Sequence, residues 1–408
     1  MNIASFLIAG TALAALPCAV AAQDLTAEVS TSWTSGGEMT AAEVIKDAFE
    51  ARGGTWENTS IAGFENANAA FQNRVMAGDP PTVRQFVLGQ DAAAYAANGM
   101  MTPITDIATA GDWASVLPAA IHDNISFDGE VYLAPTGLHG ESWMYYSRAA
   151  FEAAGITAEP QDWDAFFADM DALKAAGVTP IAWGGQSWQE AKVFYMILLT
   201  QVGIDGFNRI FTGQDPDAIA SDGVRAALKI FGRMRDYVDA GAPGRNWNDA
   251  TAMVITGQAG VQFMGDWAKG EFTSAGQQPE VDFGCMLVPS TPGMVFITDG
   301  LGFPVTRDDS GLAAQKLMAE VVMDPAVQVG FSLNKGSIPV RSDVDMSGFD
   351  ACAQKGIAML EQNALVPDPA ITVLPEQVGL IADFVGEFFA TPDADIDAAM
   401  AGFAAIFE

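Results

Sequence analysis

Strand-like segments alternate with helical segments along this chain, and that alternation restricts the fold more than any other feature of the sequence. The first unit ends a strand at the turn SWTSGGE, residues 32–38, and continues into a helix that the capping box Thr40 to Glu43 predicts and Gly53 ends. Alternating strands and helices predict open α/β sheets, whose ligands bind at the carboxyl ends of strands. The turn SWTSGGE is therefore a candidate ligand-binding segment.

Further units of the same kind follow along the chain. A helix is predicted after Asp162, because apolar side chains recur at helical spacing until Gly177, and the strand-like VTPIAW comes next. GVQFMGDWAKG and VFITDGLGFPV repeat the pattern, and residues 384–408 are predicted to form one terminal helix with an apolar face. With 408 residues and no Pro/Ser-rich linker, the chain is expected to form two or three interwoven domains.

Residues 1–22 have the features of a cleaved secretory signal peptide. They carry no charged side chain, run apolar from Ile3 to Leu16, and end in small residues that suit cleavage after Ala21 or Ala22. A membrane anchor would need about 20 apolar residues and a basic flank. No later stretch of the sequence is long and apolar enough to span a bilayer, so we expect export to an aqueous compartment.

The mature chain keeps the whole formal charge of −32, from 51 acidic and 19 basic residues. Such a surface repels phosphate backbones and anionic lipids, which disfavours nucleic acid and membrane binding. Cys285 and Cys352 remain after removal of the signal. In an oxidising compartment the two could pair, but one pair is not a disulfide framework, so separate thiols are the favoured interpretation.

Motifs for catalysis and for cofactors are absent from the sequence. The chain has two histidines, His122 and His139, and neither a nucleophile elbow nor a phosphate-binding loop. A segment that begins at Asp343 is similar to a calcium loop, but Gln354 stands where a bidentate Glu belongs. We therefore expect no metal, no cofactor and no enzyme activity.

Tryptophan is the informative residue type. Trp33, Trp188 and Trp267 lie in polar, glycine-containing turns, and although core packing explains any single one, the set indicates sugar recognition. A pyranose presents a C–H face that stacks on indole and hydroxyls that need polar partners once water is excluded. The polar candidates near these turns are Glu38, Gln85, Asp266, Asp299 and Lys335.

The ordered motifs SWTSGGE, NRVMAGDPPTVRQ, MGDWAKG, TDGLGFP and NKGSIPV resemble the sugar-binding periplasmic subunits of ABC transporters, most closely the glucose- and mannose-type members. The resemblance covers essentially the whole mature chain. It implies an α/β, two-lobed periplasmic binding protein of type II, with discontinuous lobes joined by hinge crossings and closing around a sugar. By position, the N-terminal lobe is expected at 23–135 plus 286–338 and the C-terminal lobe at 136–285 plus 339–408.

The resemblance also implies roles for single residues. Trp33 and Trp267 are similar to a stacking pair contributed by opposite lobes. The expected hydroxyl partners are Glu38, Gln85, Asp299 and Lys335. His139 matches a polar position at the rim of the second lobe, whereas the loop of Gln186 and Trp188 either contacts the sugar or only walls the pocket.

Three departures from the glucose-type pattern leave the exact sugar open. Ser32 stands where relatives carry a second Trp, Val87 where they carry Lys or His, and Ala370 near where they carry His. The expected function is a monomeric periplasmic receptor that passes a glucose-like monosaccharide to an ABC transporter permease. The alternatives are a secreted glycoside hydrolase using Glu38 and Asp299, and a protein that presents sugar to a chemoreceptor.

Overall fold

The protein is represented by a computed structural model that describes residues 25–306 and 308–408. The signal peptide predicted at residues 1–22 lies outside the described residues. The strands are β1 (Leu25–Ser30), β2 (Gly54–Asn58), β3 (Val83–Val87), β4 (Ser126–Phe127), β5 (Glu130–Val131), β6 (Leu133–Gly140), β7 (Trp143–Ser147), β8 (Thr179–Ile181), β9 (Ala259–Met264), β10 (Phe283–Leu287), β11 (Met294–Gly302) and β12 (Leu365–Pro367).

Helices connect these strands and cover the sheets. They are α1 (Gly36–Ala51), α2 (Phe64–Ala77), α3 (Gln90–Ala97), α4 (Thr105–Ala110), α5 (Trp113–Val116), α6 (Ala119–Ile125), α7 (Arg148–Ala153), α8 (Trp163–Ala175), α9 (Ser187–Phe211, broken at Gly203), α10 (Pro216–Ile219), α11 (Asp222–Arg233), α12 (Trp247–Ile255), α13 (Trp267–Ser274), α14 (Asp309–Val322), α15 (Pro325–Lys335), α16 (Ala351–Glu361), α17 (Pro369–Thr372), α18 (Pro375–Ala390) and α19 (Ile396–Ala405). A 3₁₀ turn, Met234–Tyr237, follows α11. Across the described residues, no helix combines the length and the apolar character that a bilayer crossing needs.

The first sheet has the strand order β12-β11-β3-β1-β2, with β6 paired to the other edge of β11. Strands β1, β2 and β3 are parallel, as expected for strands joined by helices, while β11 runs antiparallel to β3 and β6. The carboxyl ends of β1 and β3 therefore meet at one edge of this sheet.

The second sheet has the order β10-β7-β9-β8. Two consecutive crossings link the sheets: β6 passes directly into β7 at Glu141 and Ser142, and β10 returns to β11. The Glu141 N–H donates to the Val295 carbonyl at 2.8 Å, and the Val295 N–H donates to the Ser142 hydroxyl at 2.9 Å, so the two crossings are bonded side by side. This arrangement confirms two α/β lobes with discontinuous sequence.

Each sheet supports its own hydrophobic core. Phe49, on α1, packs in the first core, and Phe194, on α9, packs in the second. Segments after residue 338 enter both cores, Phe349 the first and Phe403 the second. The residue boundaries predicted for the lobes stay a prediction.

The structure confirms several predicted elements and corrects three expectations. Helix α8 follows Asp162, whose carboxylate accepts from the Ala165 N–H at 2.8 Å, as predicted. The predicted start of α1 is wrong, because this helix begins at Gly36, and Thr40 lies inside it with its hydroxyl donating to the Gly36 carbonyl.

Two further expectations fail, one on the terminal helix and one on the cysteines. The prediction of a single terminal helix is wrong. Helix α18 ends at Ala390, before Pro392, and a separate helix, α19, begins after its N-cap residue Asp395. Separate thiols are also wrong, since Cys285 on β10 and Cys352 on α16 form a disulfide, with their Cα atoms 5.8 Å apart.

Candidate functional site

A cavity of about 590 Å³ lies between the lobes, at the carboxyl ends of β1 and β3. Its volume falls within the range of about 300–1,000 Å³ that is usual for small-molecule sites. One wall comes from the first sheet and α1, and the opposite wall from the starts of α9, α12 and α13. The sequence predicts this position, because open α/β sheets bind ligands beyond strand ends.

Gln85 lies on β3, and hydrogen bonds to Ser32 and Asp299 orient its side-chain amide. The N–H and the hydroxyl of Ser32 donate to Gln85 Oε1 at 2.8 and 3.1 Å, and Gln85 Nε2 donates to Asp299 Oδ2 at 3.0 Å. Antiparallel pairing of β3 with β11 brings Gln85 and Asp299 together. The amide therefore links the turn after β1 to the carboxylate on β11.

Glu38 and Lys335 form a buried ion pair at the same wall. Lys335 Nζ donates to Glu38 Oε1 at 2.7 Å, and the two residues are 3% and 7% exposed. The other Glu38 oxygen accepts from the N–H groups of Thr34 and Ser35, at 3.2 and 3.4 Å, at the start of α1. A carboxylate at a helix start and an ammonium at a helix end each also gain from the helix dipole.

His139 connects the two lobes within the cavity. Its Nδ1 lies 2.6 Å from Asp266 Oδ1, and the second oxygen of Asp266 accepts from the Gly140 N–H at 2.8 Å. Its Nε2 is 3.8 Å from Asp299 Oδ2 and has no hydrogen-bond partner among the described residues. A proton on Nδ1, held by Asp266, leaves Nε2 available to a ligand hydroxyl.

Aromatic side chains line the wall of the second lobe. Trp267, the first residue of α13, is partly exposed and meets the His139 ring edge to face, with centroids 5.6 Å apart. Trp188 donates from Nε1 to Gln186 Oε1 at 3.0 Å, and Gln186 donates in turn to Asn246 Oδ1 at 3.1 Å. These contacts fix one indole and an amide chain at the cavity surface.

The structure brings most of the predicted residues to one place and leaves one elsewhere. The cavity lining includes Glu38, Gln85, His139, Gln186, Trp188, Trp267, Asp299 and Lys335. Trp33 is only 2% exposed and packs against Phe331, with ring centroids 5.3 Å apart, so it lies in the first core rather than on the lining. The expected sandwich of Trp33 and Trp267 is not formed by the cavity walls, and ligand contact by Trp33 stays a prediction.

Within residues 25–306 and 308–408, no group of three or more His, Cys, Asp or Glu side chains is placed to hold a metal ion. In the cavity, the carboxylate of Glu38 is paired with Lys335, and that of Asp299 accepts from Gln85.

A family model described as the bacterial extracellular solute-binding protein matches residues 33–325, well over half of the chain. The chain belongs to this family. This solute-binding protein is 40% identical over 360 residues to a probable sugar-binding periplasmic protein of Brucella suis. The alignment covers 86% of this chain and 85% of the relative. A protein of the same description from Rhizobium meliloti is 40% identical over 358 residues, with coverage of 86% and 85%.

Solved structures support the fold of this solute-binding protein. A chitin oligosaccharide binding protein superposes with a TM-score of 0.79 at 20% identity, covering 94% of this chain and 99% of the other. The maltose-bound T. maritima MalE3 superposes with a TM-score of 0.77 at 17% identity, covering 94% and 99%. At these identities the likeness shows the two-lobed fold alone.

Sequence reasoning missed one polar cluster of this solute-binding protein. Lys192 Nζ lies 2.8 Å from Glu141 Oε1 and 2.7 Å from Asp368 Oδ2, and all three residues line the cavity. They come from three distant segments, so no local motif announces them. A signal did exist: Lys192 precedes the apolar run VFYMILL, and a lysine there must be buried and paired.

Proposed function

We propose that the protein is a monomeric periplasmic receptor that binds a glucose-like monosaccharide between its lobes and delivers it to the membrane permease of an ABC transporter. The observation that carries this proposal is the convergence of five residues on one cavity: Gln85, His139, Trp267, Asp299 and Lys335. The Brucella suis and Rhizobium meliloti relatives, at 40% identity, are named probable sugar-binding periplasmic proteins, which supports a sugar ligand here.

The charges of the lining favour an uncharged ligand. Both ammonium groups of the lining are already paired, Lys335 with Glu38 at 2.7 Å and Lys192 with Asp368 at 2.7 Å. An anionic ligand would therefore meet carboxylates without an unpaired cation to offset them. A neutral sugar instead donates hydroxyls to Asp299 and accepts from the ammonium and amide groups.

We propose that the chain performs no covalent chemistry. Glu38 is the residue that a glycosidase mechanism would need as acid or nucleophile, but both of its oxygens are engaged. One oxygen accepts from Lys335, and the other accepts from the N–H groups of Thr34 and Ser35. These contacts suit a carboxylate that caps α1 and supports binding.

The proposal is tested by titration calorimetry of the mature chain against D-glucose, D-galactose, D-mannose, D-xylose, maltose and D-glucuronate. We expect one neutral monosaccharide to bind most tightly and glucuronate not to bind. Absence of binding by every neutral sugar would overturn the proposal. Release of nitrophenol from aryl glycosides, abolished in Glu38→Gln, would replace the receptor with an enzyme.

Location and delivery are tested separately. N-terminal sequencing of the exported protein should begin after Ala21 or Ala22, and the protein should be recovered with the periplasmic fraction. Cells lacking the gene should lose uptake of the labelled sugar identified by calorimetry. Normal uptake with a lost chemotactic response would instead assign the receptor to a sensory partner.

A further inference from the structure

The cluster of Glu141, Lys192 and Asp368 lies where the chain crosses between the lobes. Glu141 follows β6 directly, and Asp368 follows β12, with its N–H donating to the Phe296 carbonyl on β11 at 2.9 Å. Lys192 comes from the second turn of α9, in the second lobe. The β6–β7 crossing and the segment after β12 thus hold carboxyl groups on either side of an ammonium that α9 of the second lobe provides.

The polar atoms of this cluster are unequally satisfied. Asp368 accepts from Lys192 Nζ at 2.7 Å and from the Ala370 N–H at 2.8 Å. Glu141 Oε1 lies 2.8 Å from Lys192 Nζ in a buried ion pair, whereas Glu141 Oε2 has no hydrogen-bond partner among the described residues. Burial and then the nearby Asp368 raise the pKa of Glu141 well above its ordinary value. Glu141 Oε2 is therefore a buried carboxyl oxygen that can still accept a hydrogen bond.

Tyr195 adds a hydroxyl to the same wall. It lies one turn after Lys192 on α9, lines the cavity, and is 2% exposed. Its Oη has no hydrogen-bond partner among the described residues. Burial, followed by the charges of Asp368 and Glu141, raises the pKa of Tyr195, so the phenol stays neutral and keeps its proton. A buried hydroxyl without a partner is rare, because its lost hydration is not replaced.

We infer that Glu141, Lys192 and Tyr195, with Asp368 behind them, form a second polar subsite of the cavity that binds hydroxyl groups of an uncharged saccharide. This inference rests on the proposed function and adds residues outside the set that the sequence predicts. A hydroxyl fits the subsite because it both donates and accepts. It donates to a Glu141 oxygen and accepts from the Tyr195 hydroxyl or the Lys192 ammonium. A carboxylate ligand would face two carboxyl groups for one ammonium, and a cation would face Lys192.

Tyr195→Phe tests the subsite with the smallest change. Calorimetry of wild type and variant against D-glucose, D-galactose, D-mannose and maltose should show a loss of about three- to tenfold in affinity for the sugar that wild type binds best, as expected for one neutral hydrogen bond. The thermal midpoint should stay unchanged or rise, because the protein itself gives this hydroxyl no partner. The matched control is Tyr146→Phe, whose hydroxyl donates to Glu159 Oε1 at 3.0 Å away from the cavity. The control should lose stability and keep affinity.

Glu141→Met removes the free acceptor while leaving Lys192 and Asp368 as a one-to-one pair, so we expect a folded protein with about tenfold weaker binding.

The decisive comparison uses 2-, 3-, 4- and 6-deoxy forms of the bound sugar with wild type and Tyr195→Phe. For one deoxy sugar the two proteins should bind equally, because the contacted hydroxyl is missing.

Three outcomes would overturn the subsite. Affinities of both variants within twofold of wild type would do so, as would a Tyr195→Phe loss that is identical for every deoxy sugar. Failure of wild type to bind any sugar would remove the proposed function and the subsite together. Sugar binding that is intact in both variants would remove the subsite alone.

Discussion

The two tryptophans that the family resemblance assigns to one stacking pair differ in their exposure to the cavity. Trp267 lines the cavity beside His139, whereas Trp33 is packed on Phe331 in the first core. Trp267→Ala should weaken sugar binding by about 1–3 kcal/mol, because it removes apolar surface that the sugar would cover. Calorimetry measures this loss, and urea unfolding should show little change in stability.

Trp33→Leu is the matched comparison for that prediction. Replacement of a buried indole leaves space in the core, so the free energy of unfolding should fall by about 2–4 kcal/mol. Any loss of affinity should be smaller than in Trp267→Ala. A selective loss of binding at unchanged stability would contradict the core placement of Trp33 and restore it to the sugar contact.

Glu190 is a buried carboxyl group whose titration should affect stability near neutral pH. It is 8% exposed and accepts from Trp183 Nε1 at 2.9 Å. Burial raises its pKa to about 7, against a smaller opposing effect of the Trp183 hydrogen bond. The unfolded value is about 4.3, so the folded state holds the proton more tightly. The contribution of Glu190 to stability is therefore largest below about pH 4.3 and is lost, by up to about 4 kcal/mol, as the pH rises through 7.

Glu190→Gln should remove this contribution. Urea unfolding at pH 5, 6, 7 and 8 should show a smaller loss of stability in the variant than in wild type. Glu152→Gln, at an exposed position on α7, serves as the control and should follow wild type. Equal pH dependence in wild type and Glu190→Gln would show that Glu190 does not titrate in this range.

At the scale of elements, the start of α1 explains why Gly37 of SWTSGGE is a glycine. The Gly37 N–H donates to Glu271 Oε1 on α13 at 2.8 Å, so a helix of the first lobe meets a helix of the second. A Cβ on Gly37 would lie 2.6 Å from the carbonyl carbon of Gly270, closer than such atoms approach. The glycine permits the backbones of the two lobes to come together beside the cavity.

Gly37→Ala should therefore hinder lobe closure without damaging either core. We expect sugar affinity to fall at least tenfold and the sugar-saturated variant to show a larger radius of gyration by X-ray scattering than wild type. Gly379→Ala, on α18 with open space around the new Cβ, is the control and should bind normally. Wild-type affinity in Gly37→Ala would mean that this contact does not support the bound state.

The same helix shows where sequence patterns succeed and where they fail. The order of strands and helices is predictable, because Asp162 caps α8 and glycines end α1 and α8 as the sequence indicates. The start of α1 is not, since Ser35 to Glu38 matches the capping pattern as well as Thr40 to Glu43 does. The structure decides for Glu38, whose carboxylate accepts from the Ser35 N–H. Two glycines at a helix start have poor intrinsic propensity, so contact with α13 overrides the local preference.

The residues of the candidate site likewise fall into those that the sequence pointed to and those that it did not. The motifs that resemble sugar-binding relatives point to Gln85, Asp299 and Lys335, which all line the cavity, and their contact with a sugar stays a prediction. The cluster of Glu141, Lys192 and Asp368 was not predictable, because only the crossing of the lobes brings those segments together. The disulfide of Cys285 and Cys352 likewise joins residues 67 positions apart, and the sequence gives no register for β10 against α16.

At the scale of the whole molecule, charge repulsion opposes the compact state. The formal charge is −32, and ion pairs such as that of Arg74 with Glu28 engage only part of the 51 acidic side chains. At low ionic strength the remaining carboxylates repel one another across the surface, which destabilises the folded chain. The Debye length shortens from about 30 Å at 0.01 M salt to about 8 Å at 0.15 M, so modest salt should screen most of this repulsion.

We therefore expect the thermal midpoint to rise when sodium chloride increases from 0.01 to 0.15 M, by roughly 1 °C for each kcal/mol of repulsion relieved in a chain of this length. Sodium sulfate at equal ionic strength is the control, since equal screening should give an equal rise at these low concentrations, whereas preferential exclusion would favour sulfate. Sugar affinity should change little, because the proposed ligand is uncharged. A midpoint that falls with salt would mean that attractive ion pairs outweigh repulsion between carboxylates, and the net charge would then not limit the stability of this fold.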